Sequence, residues 1–334
     1  MGRADSGAAE PRPADPLGRA MLTHHRDTAG RLTYRDGADV QDGNVSEFYF
    51  SSPESWASET IEALDRLCDH EPILDVGCGA GKHLLWWAER GVDAVGVDVS
   101  PNAVLTARER CEVRRTSRRS CVEQRSTYRS SGLRGGDAAS NGTGAERSSA
   151  SSRTGKARET TASPSPSSRE DGEAAERGLE GVLVGDMFDL PIETGSVGAV
   201  HAVGTQIGLG RSLAGIRALL AEFARVTADG GVTVVDNNDP TRLDGDLFGY
   251  RPDPREGIAH RCFHLEFERE TDEGERYREV GRTLQFLLCS PARLREATNS
   301  TPWSVCDVRR TDGTAHYRAV LEKRESEGDS ATVG

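Results

Sequence analysis

Short apolar runs and amphipathic stretches alternate through the middle of the chain. The apolar runs end in glycine or acidic residues, and the stretches between them carry apolar residues at helical spacing. The pattern predicts strands at 72–76, 94–98, 181–186, 197–203 and 232–236. It predicts the helices between them at 82–90, 102–109 and 212–226. Strands that alternate with helices in this way form a parallel sheet with helices on both faces.

The two flanks of this region have other patterns. On the N-terminal side, helices are predicted at 17–25 and 52–67, with a polar loop through Gly37 and Gly43 between them. On the C-terminal side, the pattern predicts extended segments and one helix (291–298), the extended segments lying at 260–268, 279–287, 303–307 and 316–321. Because successive strands pair antiparallel, we predict an α/β fold: a doubly wound, mostly parallel seven-stranded sheet with an antiparallel edge strand.

The composition changes abruptly between residues 112 and 178. Ser, Arg, Gly, Thr and Ala dominate this segment, and large apolar residues almost disappear from it. Such a segment cannot bury enough apolar surface to offset the entropy of ordering it, so we predict a disordered insertion. The residues on either side, 17–111 and 179–324, are predicted to form one domain, with disordered tails at 1–16 and 325–334.

The charge balance bears on partners and on environment. The net charge is −12 with a pI near 5.3, which argues against general affinity for nucleic acid or anionic membranes. The only lysines are Lys82, Lys156 and Lys323. An acidic, lysine-poor chain is typical of a halophilic cytoplasm. A GC-rich genome that encodes arginine in place of lysine is the alternative explanation.

Cysteine usage and hydropathy bear on location. The seven cysteines form no CxxC pair, which favours reduced thiols over a disulfide framework or a metal site. The N-terminal residues carry no apolar signal segment, and no apolar run approaches the about 18 residues that a membrane helix needs. We therefore predict a cytoplasmic protein with no metal and no membrane partner.

The motif most informative about chemistry is I-L-D-V-G-C-G-A-G-K-H at 73–83, where a strand enters a glycine turn that opens a helix. Glycines there permit positive φ and let a ligand approach the backbone. A dinucleotide fingerprint would require glycine in place of Lys82. A P-loop would require glycine in place of Val76, and serine or threonine in place of His83. Neither motif therefore matches.

The pattern D-x-G-x-G-x-G closely resembles motif I of class I, Rossmann-like S-adenosylmethionine-dependent methyltransferases, in particular their small-molecule subgroup. The resemblance implies S-adenosyl-L-methionine as cofactor. It also implies that the loop of Gly77, Cys78, Gly79 and Gly81 passes under the methionine part and the ribose. Asp75, by the same resemblance, helps to hold the amino-acid end of the cofactor.

Acidic residues end the next two predicted strands. Asp98 lies 23 residues after Asp75, close to the about 20-residue spacing of a ribose-binding acid, with a turn cap as the alternative role. The segment 185–191 resembles the family's G-D-x-x-x-L-P, which implies that Asp186 accepts from the adenine amino group and that Met187 flanks the ring. The remaining residues predicted to bind the cofactor are Val99 and Val203.

The methyl acceptor is predicted to be a small molecule, reached by in-line displacement. The candidate contacts are Asn237, Gln206 and His201, although His201 also fits a core histidine held by one hydrogen bond. An N-terminal lid region at 17–60 and acceptor-side elements at 241–290 are predicted to close over the sulfonium. Both segments are rich in aromatic residues, which suit a cationic methyl donor, namely Phe48, Tyr49, Phe50, Phe248, Tyr250, Phe263 and Phe267.

Two alternatives remain open at this point. One is a degenerate methyltransferase fold that serves as a binding module. The other is an RNA methyltransferase that uses the mildly basic segment 112–178 as a tether. The intact glycine and acidic motifs favour a catalyst, and a neutral insertion into a surface loop explains that segment at small entropic cost.

Overall fold

The computed structural model describes residues 13–112, 181–243, 247–270 and 273–325. Most of the predicted insertion and of both predicted tails lies outside these ranges. Residues 13–16, which were assigned to the N-terminal tail, are an exception. Asp15 caps the first helix by accepting from the Gly18 amide, and that helix begins at Pro16.

The helices and strands of the described residues are, in chain order, α1 (Pro16–His25), β1 (Arg31–Asp36), β2 (Asp39–Asp42), α2 (Val45–Phe50), α3 (Ser58–Leu67), β3 (Ile73–Val76), α4 (Lys82–Arg90), β4 (Ala94–Asp98), α5 (101–112), β5 (Val182–Val184), β6 (Val197–Ala202), α6 (Leu213–Val226), β7 (Thr227–Asn238), β8 (Tyr250–Pro252), β9 (Ile258–Glu270), β10 (Arg276–Val280), β11 (Leu284–Cys289), α7 (Pro291–Thr298), β12 (Trp303–Arg310) and β13 (His316–Lys323). The helix predicted from residue 52 begins only at Ser58, since Pro53–Ser55 form a 3₁₀ turn and Trp56 is extended. None of these helices is long and apolar enough to cross a membrane.

A seven-stranded sheet has the order β12-β13-β7-β6-β3-β4-β5. The strands from β7 to β5 are parallel, as the alternation of strands and helices predicted. The antiparallel strand is β13, which lies one position inside the edge and not at the edge itself. The reason is that β12 and β13 form a hairpin, and its second strand pairs with β7.

The two flanks together form a second sheet, which the sequence pattern did not predict. Its central strand, β9, pairs with β1, β8, β10 and β11, and β1 pairs with β2. The predicted loop through Gly37 is the β1–β2 hairpin, and the extended segment at 279–287 is divided between β10 and β11. Alternation along β9 buries Phe263, Leu265 and Phe267 on one face.

The core of the first sheet is dense in large side chains. Trp86 and Trp87 of α4 are fully buried on one side, and Phe223 of α6 on the other. Trp303 is 1% exposed, and its indole Nε1 donates to the Leu220 carbonyl of α6 at 2.8 Å. These contacts fix the strands whose carboxyl ends carry the site described next.

Candidate functional site

The glycine turn after β3 requires both positive φ and open space. Gly77, Gly79 and Gly81 have φ values of 71°, 55° and 73°. A Cβ on Gly77 would lie 2.7 Å from Cδ of Gln206, and a Cβ on Gly79 would lie 3.2 Å from the Tyr49 ring. Any larger residue at these two positions would therefore be strained and would also fill the space above the loop.

Asp98 closes this turn from the end of β4. Its Oδ2 accepts from the Gly79 amide at 2.9 Å, and its Oδ1 accepts from the Ser100 amide at 2.8 Å. Burial raises the pKa of Asp98 to about 6, although the hydrogen bonds from Ser100 and Gly79 act to lower it. The carboxylate is thus positioned by the loop and poised to change its protonation just below neutral pH.

Asp75 lies beneath the turn at the end of β3 and is 2% exposed. Its Oδ1 is 2.8 Å from Nδ1 of His201, whereas its buried Oδ2 has no hydrogen-bond partner among the described residues. The ring of His83 stands edge-on to His201, with 4.9 Å between the centroids. Burial, and then His201 and Lys82, hold the pKa of His83 well below its ordinary value.

These three side chains form the one cluster in the described part of the chain that offers ligand atoms for a metal, all within 4.8 Å of one another. Two of the three, Asp75 and His201, are already joined by a hydrogen bond. The unpartnered oxygen of Asp75 nevertheless requires a donor, because a buried carboxylate oxygen without one is costly. The N–H groups of an ammonium ion would satisfy this oxygen as well as a metal ion would.

A cavity of about 360 Å³ lies against the ends of β3, β4 and β5. Among the residues predicted to bind the cofactor, it is lined by Gly77, Asp98, Val99, Asp186 and Met187. Asp186 also accepts from the Phe188 amide at 3.0 Å, which fixes the turn after β5.

A neighbouring cavity of about 410 Å³ extends over the glycine turn. It is lined by the predicted residues Asp75, Gly77, Cys78, Gly79 and Val203. Gly81 lines neither cavity, and its role is packing, because a Cβ there would lie 3.0 Å from Cβ of Ala107.

The two cavities meet at the loop after β6, which carries Gln206. Asp236 shapes this loop by accepting from the amides of Gly204 and Thr205 at 2.9 and 2.6 Å. Burial opposes ionisation of Asp236, but the hydrogen bonds from His316 and from these amides lower its pKa below the ordinary value. The Gln206 side chain lies above Gly77 and lines both cavities, and its contact with the acceptor stays a prediction.

The structure does not bring Asn237 to either cavity. Its side chain is fully buried, donates to the Leu287 carbonyl at 3.1 Å and accepts from the Asn238 amide at 2.7 Å. The expectation that Asn237 contacts the acceptor is therefore wrong, because β7 continues through this residue and turns its side chain toward β11. His201 lines neither cavity, and it contacts Asp75 and His83, which line the second.

The aromatic residues of the predicted lid have different environments. Tyr49 lines both cavities, and Phe48, which is 47% exposed, lines the second. Phe50 lines neither and packs on His24, with 4.5 Å between the ring centroids. Of the C-terminal aromatic residues, Phe263 faces the first cavity, whereas Phe267 is buried in the core of the second sheet.

Tyr34 and Arg261 are site residues that the sequence did not single out. Both line the two cavities, and the hydroxyls of Tyr34 and Tyr49 interact. Arg261 Nε donates to the Phe248 carbonyl at 2.9 Å, and its guanidinium lies 4.6 Å from the centre of the Phe263 ring. The strand pairing that brings these residues together leaves no local signal in the sequence.

Comparison with known proteins agrees with this geometry. Residues 73–127 match the family model described as a methyltransferase domain. This match covers the glycine turn together with Asp75 and Asp98. No curated protein sequence matches the chain significantly.

Among solved structures, the domain resembles an S-adenosylmethionine-dependent methyltransferase from Bacteroides fragilis in complex with S-adenosyl-L-homocysteine. That structure has a TM-score of 0.56 and 14% identity, over 94% of this chain and 97% of the other. A more distant similarity is to CalS10, an amino pentose methyltransferase from Micromonospora echinaspora, with a TM-score of 0.45, 18% identity and coverage of 86% and 99%. The similarity to the Bacteroides fragilis structure confirms the predicted α/β fold with its mostly parallel sheet.

Proposed function

We propose that this methyltransferase domain transfers a methyl group from S-adenosyl-L-methionine to a small-molecule acceptor. One observation supports the proposal most strongly. The acids at the ends of three neighbouring parallel strands, Asp75, Asp98 and Asp186, converge with the positive-φ glycine turn on two adjoining cavities. Ligands of open α/β sheets bind in this crevice, outside the carboxyl ends of the strands.

The adenosine part of the cofactor fits the first cavity. Asp98 provides carboxylate oxygens for the ribose hydroxyls, and Asp186 provides an acceptor for the adenine amino group. Met187 and the exposed Val99 offer apolar surface to the ring. No phosphate-binding residues are needed here, because the cofactor carries no phosphate group.

The methionine part fits the second cavity. Its ammonium group needs a negatively charged partner and its carboxylate a positively charged one, and the cavity offers both. The unpartnered Oδ2 of Asp75 would accept from the ammonium group. Lys82 and Arg318 line the same cavity and would donate to the carboxylate. The buried Nε of Arg318 has no acceptor among the described residues, and burial lowers the pKa of Lys82, so both groups gain from an anionic partner.

When bound, the cofactor supplies a methyl group on a positively charged sulfur. The chain's task is to align an acceptor with that group and to exclude water. Tyr34, Tyr49 and Phe263 line the first cavity, and their aromatic faces can stabilise a cation. The two adjoining cavities, of about 360 and 410 Å³, are together of the size that holds the cofactor and a small organic ligand, which favours a metabolite over a polymer as acceptor.

Cofactor affinity should depend on pH through Asp98. Its carboxylate binds ribose hydroxyls best when ionised, and its pKa is raised to about 6. Affinity should therefore be constant well above pH 6 and should fall about tenfold per pH unit below it. Isothermal titration of S-adenosylhomocysteine between pH 5 and 8 measures this. In Asp98→Asn the affinity should be weak and flat over this range, and an unchanged slope in that variant would contradict the assignment.

The acceptor class can be tested with the intact chain. Purified protein, labelled S-adenosylmethionine and a cell extract are incubated together, and the label is followed into small metabolites, RNA and protein. We expect label in the metabolite fraction, and none with Asp98→Asn. Label in RNA that requires residues 112–178 would favour the tethered RNA methyltransferase, and the absence of any transfer would favour the degenerate binding module.

A further inference from the structure

Three arginines line the first cavity, namely Arg211, Arg261 and Arg282. Among the described residues, no carboxylate forms an ion pair with any of them. Arg211 and Arg282 are exposed at the cavity mouth, whereas Arg261 is half-buried inside it. This concentration of unpaired positive charge stands out in a protein whose net charge is −12.

Arg261 is held in place without being neutralised. Its Nε donates to the Phe248 carbonyl, and the face of its guanidinium rests on the Phe263 ring. These contacts leave the two terminal nitrogens without a hydrogen-bond partner among the described residues. A guanidinium in this state presents a rigid pair of donors, which suits a carboxylate or a phosphate.

The acids of the same cavity are already assigned. Asp98 and Asp186 are the only carboxylates among its lining residues, and under the proposed function both bind the adenosine part of the cofactor. The bound cofactor also adds a positive sulfur. The unassigned part of the cavity is therefore strongly cationic, next to apolar walls formed by Leu209, Leu265, Leu284 and Phe286.

We propose that the methyl acceptor is an organic anion, and that Arg261 binds its carboxylate or phosphate group. This inference rests on the proposed function, because it places the acceptor beside the bound cofactor. Arg211 and Arg282 attract the anion at the mouth, and Arg261 sets its depth and orientation. The apolar walls contact the rest of the acceptor.

The test uses the full chain saturated with S-adenosylhomocysteine. One arm titrates aromatic and sugar carboxylates beside their neutral amides. The other arm titrates aromatic and sugar phosphates beside the corresponding alcohols. Dissociation constants are measured for wild type, Arg261→Gln, Arg261→Lys and the matched control Arg276→Gln, which removes an exposed arginine from β10 of the same sheet.

We expect anions of one arm to bind wild type and Arg276→Gln at least about tenfold more tightly than their neutral counterparts. Arg261→Gln should lose this preference while retaining cooperative unfolding and cofactor affinity, and Arg261→Lys should restore part of it. The arm that responds distinguishes carboxylate from phosphate recognition.

Equal binding of charged and neutral members, or a preference that survives in Arg261→Gln, would overturn the inference. Loss of S-adenosylhomocysteine binding in Arg261→Gln would also overturn it, by assigning the arginine to the cofactor's carboxylate. Failure of wild type to bind S-adenosylhomocysteine is a separate result, and it would contradict the proposed function itself.

Discussion

Gly79→Val is expected to abolish binding of S-adenosylmethionine. The residue has a φ of 55°, its amide donates to Asp98, and a Cβ there would point toward Tyr49 at 3.2 Å. A branched side chain at this position disturbs the turn, displaces the Asp98 carboxylate that we propose binds the ribose, and occupies the space above the loop. Isothermal titration should show no measurable heat of binding at cofactor concentrations that saturate the wild-type protein.

Gly91→Val is the matched control for this variant. Gly91 has a similar φ of 76°, but a Cβ there would meet no atom within 4 Å, and the residue ends α4 away from the cavities. Both variants carry the backbone strain of a side chain at positive φ, which costs about 1–2 kcal/mol. Only Gly79→Val should lose the cofactor, so retained binding in Gly79→Val would show that the cofactor lies elsewhere.

Trp303→Ala should produce the largest loss of stability. The indole is 1% exposed within the core formed with α6 and α7, so its removal leaves a cavity that costs about 3–5 kcal/mol. It also removes the hydrogen bond from the indole to the Leu220 carbonyl, at a further cost of about 0.5–1.5 kcal/mol.

Urea unfolding followed by circular dichroism measures this loss. Val280→Ala is the control, because Val280 is 47% exposed and its truncation should change the free energy of unfolding by less than about 0.5 kcal/mol. A Trp303→Ala protein as stable as this control would show that α6 and β12 do not pack as described.

The cofactor side of the site could be predicted from the sequence because its chemistry is local. A strand that runs into Gly77 and Gly79 permits few backbone conformations, and the parallel arrangement of β3, β4 and β5 places the acids that follow these strands at one edge. Asp98 and Asp186 therefore meet in space although nearly ninety residues separate them.

The acceptor side could not be predicted in the same way. Strand β1 carries one fully buried apolar residue, Leu32, and its partner β9 lies more than two hundred residues away, so no local periodicity marks the second sheet. Arg261 stands between His260 and Cys262 on β9, and only the pairing of β8 and β11 with that strand places it beside the cavity. Asn237 was misplaced because β7 continues two residues beyond the predicted end at Asp236.

The most direct measurement is a calorimetric titration of the wild-type chain with S-adenosylmethionine, S-adenosylhomocysteine, NAD and ATP under identical conditions. Binding of the two adenosyl amino acids with micromolar affinity, at one site per chain, with no heat from NAD or ATP, is the predicted result. Binding of NAD or ATP in the absence of any response to S-adenosylmethionine and S-adenosylhomocysteine would contradict the account, because the glycine turn and the three strand-end acids would then serve a different ligand.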